Sequence, residues 1–163
     1  MSKKVAVVMG SDSDLETMRP CIQRLQSFGI PAEVRIISAH RTPAAAEELA
    51  SHAAEKGFGV IIAAAGKAAH LAGVLAAYTT LPVIGVPIKT SLMGGLDSLL
   101  SMVQMPKGIP VACVAVDGAD NAAILAAQML ALADPELSAT LAQFKTRMAE
   151  EVAEKDRHIA DKL

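Results

Sequence analysis

Residues 3–28 read KKVAVVMGSDSDLETMRPCIQRLQSF, a short apolar run followed at once by a helical pattern. The run Lys3–Met9 is rich in β-branched residues and stops at Gly10, which is typical of a strand buried on both faces. The segment Asp14–Phe28 carries apolar residues at three- and four-residue spacings, which predicts an amphipathic helix that ends before Gly29. The stretch is therefore a strand followed by a helix, the unit from which α/β folds are built.

The same alternation continues along the rest of the chain. Further strands are predicted at Ala32–Ile37, Val60–Ala65, Pro82–Val86 and Ile109–Val116. Further helices are predicted at Thr42–Lys56, Ala68–Tyr78, Gly95–Gln104, Asn121–Leu132 and Pro135–Leu163. Five strands that alternate with helices predict an α/β three-layer sandwich, in which a central five-stranded parallel sheet is covered by helices on both faces.

Length and composition limit the domain count and the class of ligand. The 163 residues suit one domain, and no linker or repeat divides them, so we expect residues 1–163 to form a single α/β domain. Hydrophobic residues make up 52% of the chain and charged residues 20%, which excludes a disordered protein. With 2% aromatic residues and a net charge of −2, a surface for nucleic acid or an anionic membrane is not indicated. A small molecule is the expected ligand.

The uncharged stretch Ala68–Ile88 is long enough to suggest a membrane span. Glycine and proline residues divide it into a short helix, a turn and a strand, so we expect no span. No signal peptide opens the chain, and Cys21 and Cys113 lack the spacing of a disulfide framework. We therefore expect a cytoplasmic protein whose two cysteines are reduced core residues.

Two helices suggest contacts between subunits. The helix Ala68–Tyr78 is apolar on nearly every side, so we expect it to be buried all round. In so small a domain that burial requires a subunit interface, and the chain is expected to form a homo-oligomer. The last helix, about residues 135–163, carries mixed charge and is expected to be exposed or to pack on a neighbouring subunit.

Polar residues concentrate in the loops that follow the first three predicted strands, Gly10–Asp14, Ser38–Pro43 and Gly66–Leu71. Ligands of parallel α/β sheets bind at the carboxyl ends of the strands, so these loops are the predicted site. The first loop enters a helix, where its serine hydroxyls and backbone N–H groups could hold a phosphate. Capping of the helix by the same side chains is an equally open interpretation.

The second loop places His40 beside Arg41, an imidazole that can carry a proton next to a guanidinium that can grip a phosphate. Either histidine alone could be structural, and His70 lies among apolar residues, as a core histidine would. The chain has no dinucleotide or triphosphate loop, no metal-ligand spacing and no nucleophile elbow. The residues thus predict a phosphate-bearing small ligand held by three loops, with a histidine among them.

The three loop motifs, together with Gln104–Val111, resemble the 5-(carboxyamino)imidazole ribonucleotide mutase family of purine biosynthesis over about residues 3–150. The resemblance implies a flavodoxin-like sandwich with a long C-terminal helix, assembled as a cytoplasmic homo-octamer. It also implies an isomerase of the de novo pathway to IMP that needs no metal or other cofactor. The enzyme would move a carboxylate from the exocyclic nitrogen of the ribonucleotide to ring carbon 4, by decarboxylation and recarboxylation with carbon dioxide held in the site.

The resemblance also implies roles for individual residues. His40 would protonate the departing nitrogen and later remove the proton from carbon 4, and His70 would orient the carboxylate or the ring. Asp14 would accept hydrogen bonds from ribose hydroxyls, and Ser13, Ser38 and Arg41 would contact the phosphate. The implied substrate contacts as a whole are Ser11, Ser13, Asp14, Ser38, Arg41, Gly66, Lys67 and Leu71.

Two residues depart from the family pattern, since Lys67 replaces a glycine and Ala72 replaces a proline. A related class carries a basic residue at the position of Lys67 and carboxylates aminoimidazole ribonucleotide with carbon dioxide directly. The alternatives to a mutase are therefore that carboxylase and a non-catalytic ribonucleotide-binding protein. Lys67 itself is either a contact to the substrate carboxylate or a solvated residue before the helix.

Overall fold

The computed structural model describes residues 3–163 and contains one five-stranded parallel sheet. The strands are β1 (Lys4–Met9), β2 (Ala32–Ile36), β3 (Phe58–Ala65), β4 (Val83–Pro87) and β5 (Ala112–Cys113). The helices are α1 (Leu15–Ser27), α2 (Pro43–Ser51), α3 (Leu71–Tyr78), α4 (Leu96–Val103), α5 (Ala119–Ala131) and α6 (Pro135–Arg157). Short 3₁₀ turns lie at Asp12–Asp14 and Ala160–Lys162. The predicted class and strand number are confirmed.

The strands lie in the order β2-β1-β3-β4-β5, which is the flavodoxin-like order. β1 pairs with both β2 and β3, so Val7 lies opposite Val34 on one side and Ile62 on the other. Along the chain, β2 is added on one side of β1 and β3 on the other side, so the direction in which strands are added reverses at β1. Loops diverge at such a switch point, which leaves a crevice at the carboxyl ends of these strands.

The strands β1, β3 and β4 are buried between two apolar layers, whereas the edge strand β2 is partly exposed. Val5, Val7 and Met9 of β1 point to the layer that contains α1 and α5, whereas Ala6 and Val8 point to the layer of α2 and α3. All five side chains are almost completely inaccessible to water. Because both faces of the strand are covered, its sequence is continuously apolar instead of alternating.

Several predicted boundaries differ from those of the structure, and the differences at β5 and α2 have local causes. β5 covers only two residues of the predicted Ile109–Val116, because Pro110 has no N–H to donate and the strand is at the edge of the sheet. α2 ends at Ser51 instead of Lys56. A ring nitrogen of His52 lies 3.0 Å from the Glu48 carbonyl oxygen, which replaces the backbone bond that would have continued the helix.

The uncharged stretch folds as predicted, into α3, a turn and β4. In residues 3–163, no helix combines the length and apolarity that crossing a membrane requires. Within the single chain α3 is buried on one side only, since Leu71 and Leu75 are buried but Tyr78 is 44% exposed. Its predicted burial on all sides depends on a neighbouring subunit and stays a prediction. The helix packs on the sheet along one side, and its other side stays open.

The two cysteines are free thiols, as predicted, but only Cys21 belongs fully to the core. Burial, with a smaller contribution from Asp120, raises the pKa of the Cys21 thiol to about 12. A thiol with so high a pKa stays protonated at neutral pH and is a poor nucleophile. Cys113 lies on the short edge strand β5 and is half-buried.

The C-terminal helix α6 packs on the domain only through its first half. Leu137 and Phe144 are buried, and the Phe144 ring lies edge-on to Phe28 with 5.4 Å between centroids. Residues 145–161 are exposed, including the apolar side chains of Met148 and Val152. This surface suits a contact with a neighbouring subunit, which stays a prediction.

Replacement of Gly85 should test how closely the helices approach the sheet. A β-carbon at this position in β4 would lie 3.0 Å from Sδ of Met102 and 3.1 Å from Cγ1 of Val111. Gly85→Val should therefore overpack this layer and lower the free energy of unfolding by about 1–3 kcal/mol. Urea unfolding measures the change, with Ala54→Val, at an exposed position in the turn after α2, as the control. Equal stability of the two variants would contradict the close packing.

Candidate active site

A cavity of about 800 Å³ opens at the carboxyl ends of β1, β2 and β3, where the strand order places the switch point. Every residue that the sequence nominated for the site lines this one cavity. These residues are Ser11, Ser13, Asp14, Ser38, His40, Arg41, Gly66, Lys67, His70 and Leu71. The three predicted loops therefore form a single site, as expected for a parallel sheet.

The loop after β2 is braced by its own side chains. Thr42 accepts a hydrogen bond from the Ser38 N–H at 3.0 Å and donates one to the Ser38 carbonyl at 3.1 Å. The Ser38 hydroxyl accepts from the Arg41 backbone N–H at 3.2 Å. Arg41 also donates from Nη2 to the Gly10 carbonyl at 3.1 Å, which ties this loop to the one after β1.

The two site histidines are hydrogen-bonded to each other. Nε2 of His40 lies 2.9 Å from Nδ1 of His70, and the two rings meet edge to face with 5.0 Å between centroids. One nitrogen must donate while the other accepts, so the protonation state of one ring constrains the other. Both residues are exposed to the cavity. The structural interpretation of His70 as a core histidine is therefore wrong.

The loop after β3 contains a residue in the left-handed region. Lys67 has φ of 60°, and its carbonyl accepts from the Ala69 N–H at 2.8 Å. The His70 N–H likewise bonds to the Ala68 carbonyl at 2.8 Å, so residues 67–70 form tight turns instead of a helical turn. α3 therefore begins at Leu71, and the predicted start at Ala68 is wrong. This break leaves His70 at the N-cap of α3, with its ring free to reach His40.

In the loop after β1, one side chain caps the following turn and another makes no capping bond. The Ser11 hydroxyl caps the 3₁₀ turn by accepting from the Ser13 N–H at 3.3 Å. The Ser13 hydroxyl donates to Asp14 at 3.3 Å, and Asp14 makes no capping bond to α1. Burial raises the pKa of Asp14 above its ordinary value, although hydrogen bonds from Ser13 and Ser11 partly oppose the shift. Capping thus explains Ser11, but it does not explain the buried carboxyl of Asp14.

The cavity also includes residues that the sequence did not nominate, above all Ile88, Lys89 and Thr90 after β4. These residues are in the site because β4 lies next to β3, so its carboxyl end opens on the same edge. The pattern after β4 resembled neither a phosphate loop nor a catalytic motif. The one signal in the sequence is Lys89, two residues after the buried strand β4.

The cavity is more cationic than the protein as a whole. Arg41, Lys67 and Lys89 line it together with a single carboxylate, Asp14, whereas the chain carries a net charge of −2. Such a concentration of positive charge favours an anionic ligand. Among residues 3–163, no group of three His, Cys, Asp or Glu side chains is arranged to hold a metal ion.

Residues 4–151 match the family described as AIR carboxylase. The chain is 53% identical over 157 residues to the N5-carboxyaminoimidazole ribonucleotide mutase of Pyrococcus horikoshii, covering 96% of this chain and 89% of that protein. It is 54% identical over 156 residues to the enzyme of the same name from Mycobacterium tuberculosis, covering 96% and 90%. The solved structure of Treponema denticola PurE superimposes with a TM-score of 0.86 at 28% identity, covering 96% and 98%.

Asp14 should lower the stability of the ligand-free protein at neutral pH. Its pKa is higher in the folded state than the ordinary value of 3.8, so the folded protein retains a proton that the unfolded chain loses first. As the pH rises from about 3.8 through the raised pKa, that difference reduces stability, and above it the loss is constant. Asp14→Asn should therefore be more stable than the wild type at pH 7.

Urea unfolding at pH 7 and at decreasing pH tests this expectation. The advantage of Asp14→Asn should shrink as the pH falls towards 3.8, because the wild-type carboxyl then becomes neutral in both states. Asp156→Asn, at an exposed position on α6, is the control for loss of a carboxylate. A variant that is less stable than the wild type at pH 7 would show that Asp14 has a favourable partner that outweighs its burial.

Proposed function

This chain belongs to the AIR carboxylase family, and we propose that it isomerises 5-(carboxyamino)imidazole ribonucleotide to 4-carboxy-5-aminoimidazole ribonucleotide in purine biosynthesis. The hydrogen-bonded pair of His40 and His70, in a cationic cavity, is the observation that supports this reaction most directly. Relatives at 53% and 54% identity carry the mutase name, which favours the isomerase over a direct carboxylase or a non-catalytic binding protein.

The phosphate of the ribonucleotide is bound at the side of the cavity formed by the first two loops. Arg41 presents a guanidinium there, and the hydroxyls of Ser13 and Ser38 provide hydrogen-bond donors. The Arg41 bond to the Gly10 carbonyl keeps the guanidinium at this end. Asp14 accepts hydrogen bonds from the ribose hydroxyls, which explains why a buried carboxyl is retained.

His40 carries the proton in both halves of the reaction. It protonates the exocyclic nitrogen as the bond between that nitrogen and the carboxylate carbon breaks, which releases carbon dioxide and leaves the neutral amine. Carbon 4, made nucleophilic by the amine, then attacks carbon dioxide, and His40 removes the proton from that carbon. The proton that His40 gives to the nitrogen stays on the amine, and His40 receives the proton from carbon 4 in its place, so the cycle needs no external acid or base.

His70 positions His40 through the bond between their ring nitrogens. Because one nitrogen of the pair must donate to the other, His70 fixes which nitrogen of His40 holds a proton and how that ring faces the substrate. The N-cap position of His70 in turn depends on the left-handed turn at Lys67.

Carbon dioxide must stay in the cavity between the two steps. Ala39, Ala65, Ala68 and Leu71 line the cavity near the histidines and offer no group that would react with it. The backbone at Gly66 completes this wall. Confinement beside carbon 4 replaces a bimolecular capture by a reaction between neighbours, which is the main contribution that this chemistry requires.

We propose that the reaction needs no metal or organic cofactor, because proton transfer and confinement account for every step. We also propose a cytoplasmic homo-octamer, in which the open side of α3 and the exposed half of α6 meet neighbouring subunits. The exposure of Tyr78 on α3 and of Met148 and Val152 on α6 supports such contacts, since apolar surface of this kind commonly marks interfaces.

An assay without metal or ATP tests the proposed reaction. The protein is given the carboxyamino ribonucleotide in one cuvette, and aminoimidazole ribonucleotide with bicarbonate in another. Fast formation of the 4-carboxy product from the first substrate alone is expected. Preference for the second mixture would identify a carboxylase, and lack of turnover in both would leave a ribonucleotide-binding protein.

His40→Asn should bind the ribonucleotide but lose turnover. General acid–base catalysis typically contributes about 10²–10⁴-fold, and here the imidazole serves two steps, so a loss of at least that size is expected. Steady-state kinetics and ligand binding by calorimetry are measured on the same preparation. His158→Asn, at an exposed position near the C-terminus, is the control. Substantial activity in His40→Asn would assign the proton transfer to another group.

A further inference from the structure

Two lysines face the cavity from the ends of adjacent strands. Lys67 follows β3 and Lys89 follows β4, and both residues are exposed to the cavity. Neither ammonium takes part in the ion pairs formed within residues 3–163. The cavity therefore has two cationic groups that Arg41 and the phosphate contacts leave unused.

The backbone before Lys89 is held by α4. The Ser98 hydroxyl lies 2.7 Å from the Ile88 carbonyl oxygen, to which it can donate. The Ser101 hydroxyl donates to the Asp97 carbonyl of its own helix at 2.7 Å, so it lies near the Lys67 carbonyl without holding it. The helix thus fixes the loop after β4 at the rim of the cavity.

Further bonds hold the loop after β4. The Thr90 hydroxyl donates to Asp97 of α4 at 2.6 Å, and the Lys89 backbone N–H donates to Asp117 at 2.8 Å. Asp117 itself has a φ of 57°, in the left-handed region. The main chain on both sides of the Lys89 side chain is therefore anchored, and less ordering is needed when that side chain binds a ligand.

The left-handed conformation of Lys67 points to a role for its side chain. A residue with a β-carbon adopts a φ of 60° at a cost, whereas glycine adopts it freely. Glycine at position 67 would relieve this strain, but it would also remove the ammonium group from the cavity. No contact of the ammonium within residues 3–163 accounts for this choice, so an external anion is the simplest partner.

We propose that Lys67 and Lys89 form a carboxylate subsite, separate from the phosphate end at Arg41. The inference rests on the proposed function, whose substrate and product each carry a carboxylate besides the phosphate. Lys67 belongs to the same loop between β3 and α3 as His70, and both residues line the cavity. Two ammonium groups can neutralise a carboxylate and donate to both of its oxygens.

The subsite distinguishes carboxylated from uncarboxylated ribonucleotides. Substrate and product bear the negative carboxylate, whereas aminoimidazole ribonucleotide, formed between the two steps, lacks that charge, because the nitrogen has accepted a proton and neutral carbon dioxide has left. The lysines therefore bind the substrate and the product more tightly than the aminoimidazole ribonucleotide that forms between them. They act on affinity and specificity, and the proton transfer remains with His40.

The test measures two ligands on each variant by titration calorimetry. The ligands are 4-carboxy-5-aminoimidazole ribonucleotide, which has the carboxylate, and aminoimidazole ribonucleotide, which lacks it. Lys67→Met and Lys89→Met should each weaken binding of the carboxylated ligand by about tenfold, the usual size of one charge-assisted contact. Binding of the uncarboxylated ligand should stay within about twofold of the wild type, since it makes no such contact.

Control variants separate the subsite from general effects. Arg41→Ala should weaken both ligands alike, because both carry the phosphate. Lys145→Met on the exposed surface of α6 should change neither affinity. Lys67→Arg should keep the preference for the carboxylated ligand, and Met retains the β-carbon at position 67, so a change in backbone strain does not confound the comparison.

Each outcome is decisive for one of the two proposals. If both lysine variants bind the two ligands with equally reduced affinity, or bind both with unchanged affinity, the carboxylate subsite is overturned while the proposed function stands. If the wild-type protein binds neither ribonucleotide, the proposed function itself fails. A loss confined to Lys67→Met would assign the carboxylate to that residue alone and remove Lys89 from the subsite.

Discussion

The parallel pairing of β1 with both β2 and β3 is the constraint on which the site depends. It places the ends of three strands on one edge of the sheet, although β2 and β3 are separated by α2 along the chain. Val5–Met9 can occupy that central position because it is apolar on both faces. The loop of Arg41 consequently lies close enough to β1 for the guanidinium to bond to Gly10, and the loop after β3 brings His70 to His40.

The sequence predicted the parts of the fold that depend on apolar periodicity. Every strand and helix was expected, and the three loops met in one cavity because parallel strands end on the same edge. The start of α3 was not predictable in the same way, because nothing in its apolar pattern indicates that Lys67 takes a left-handed conformation. Lys89 was missed because sequence order does not show that β4 lies beside β3, which only the paired sheet establishes.

Hydrogen bonds between side chains and backbone atoms hold the loops of the site, and the imidazoles of the two histidines take no part in these bonds. Thr42 and Ser38 hold the loop of His40, and Ser98 contacts the Ile88 carbonyl in the loop after β4. The imidazoles bond only to each other among the described residues. The backbone of the loops is therefore held in place, whereas the two imidazoles can exchange a proton with a ligand.

The scarcity of aromatic residues determines how a ring-bearing ligand can be held. Phe28, Phe58 and Phe144 are buried in the core, and no phenylalanine or tyrosine lines the cavity. Stacking, the usual way to orient a flat ring, is therefore available only from the histidines. The orientation of an imidazole ligand must then follow from anchoring its charged ends, with Arg41 at one end and the lysines at the other. A cavity built in this way selects its ligand by the spacing of two anionic groups, and its affinity should depend on ionic strength more strongly than that of a stacking site.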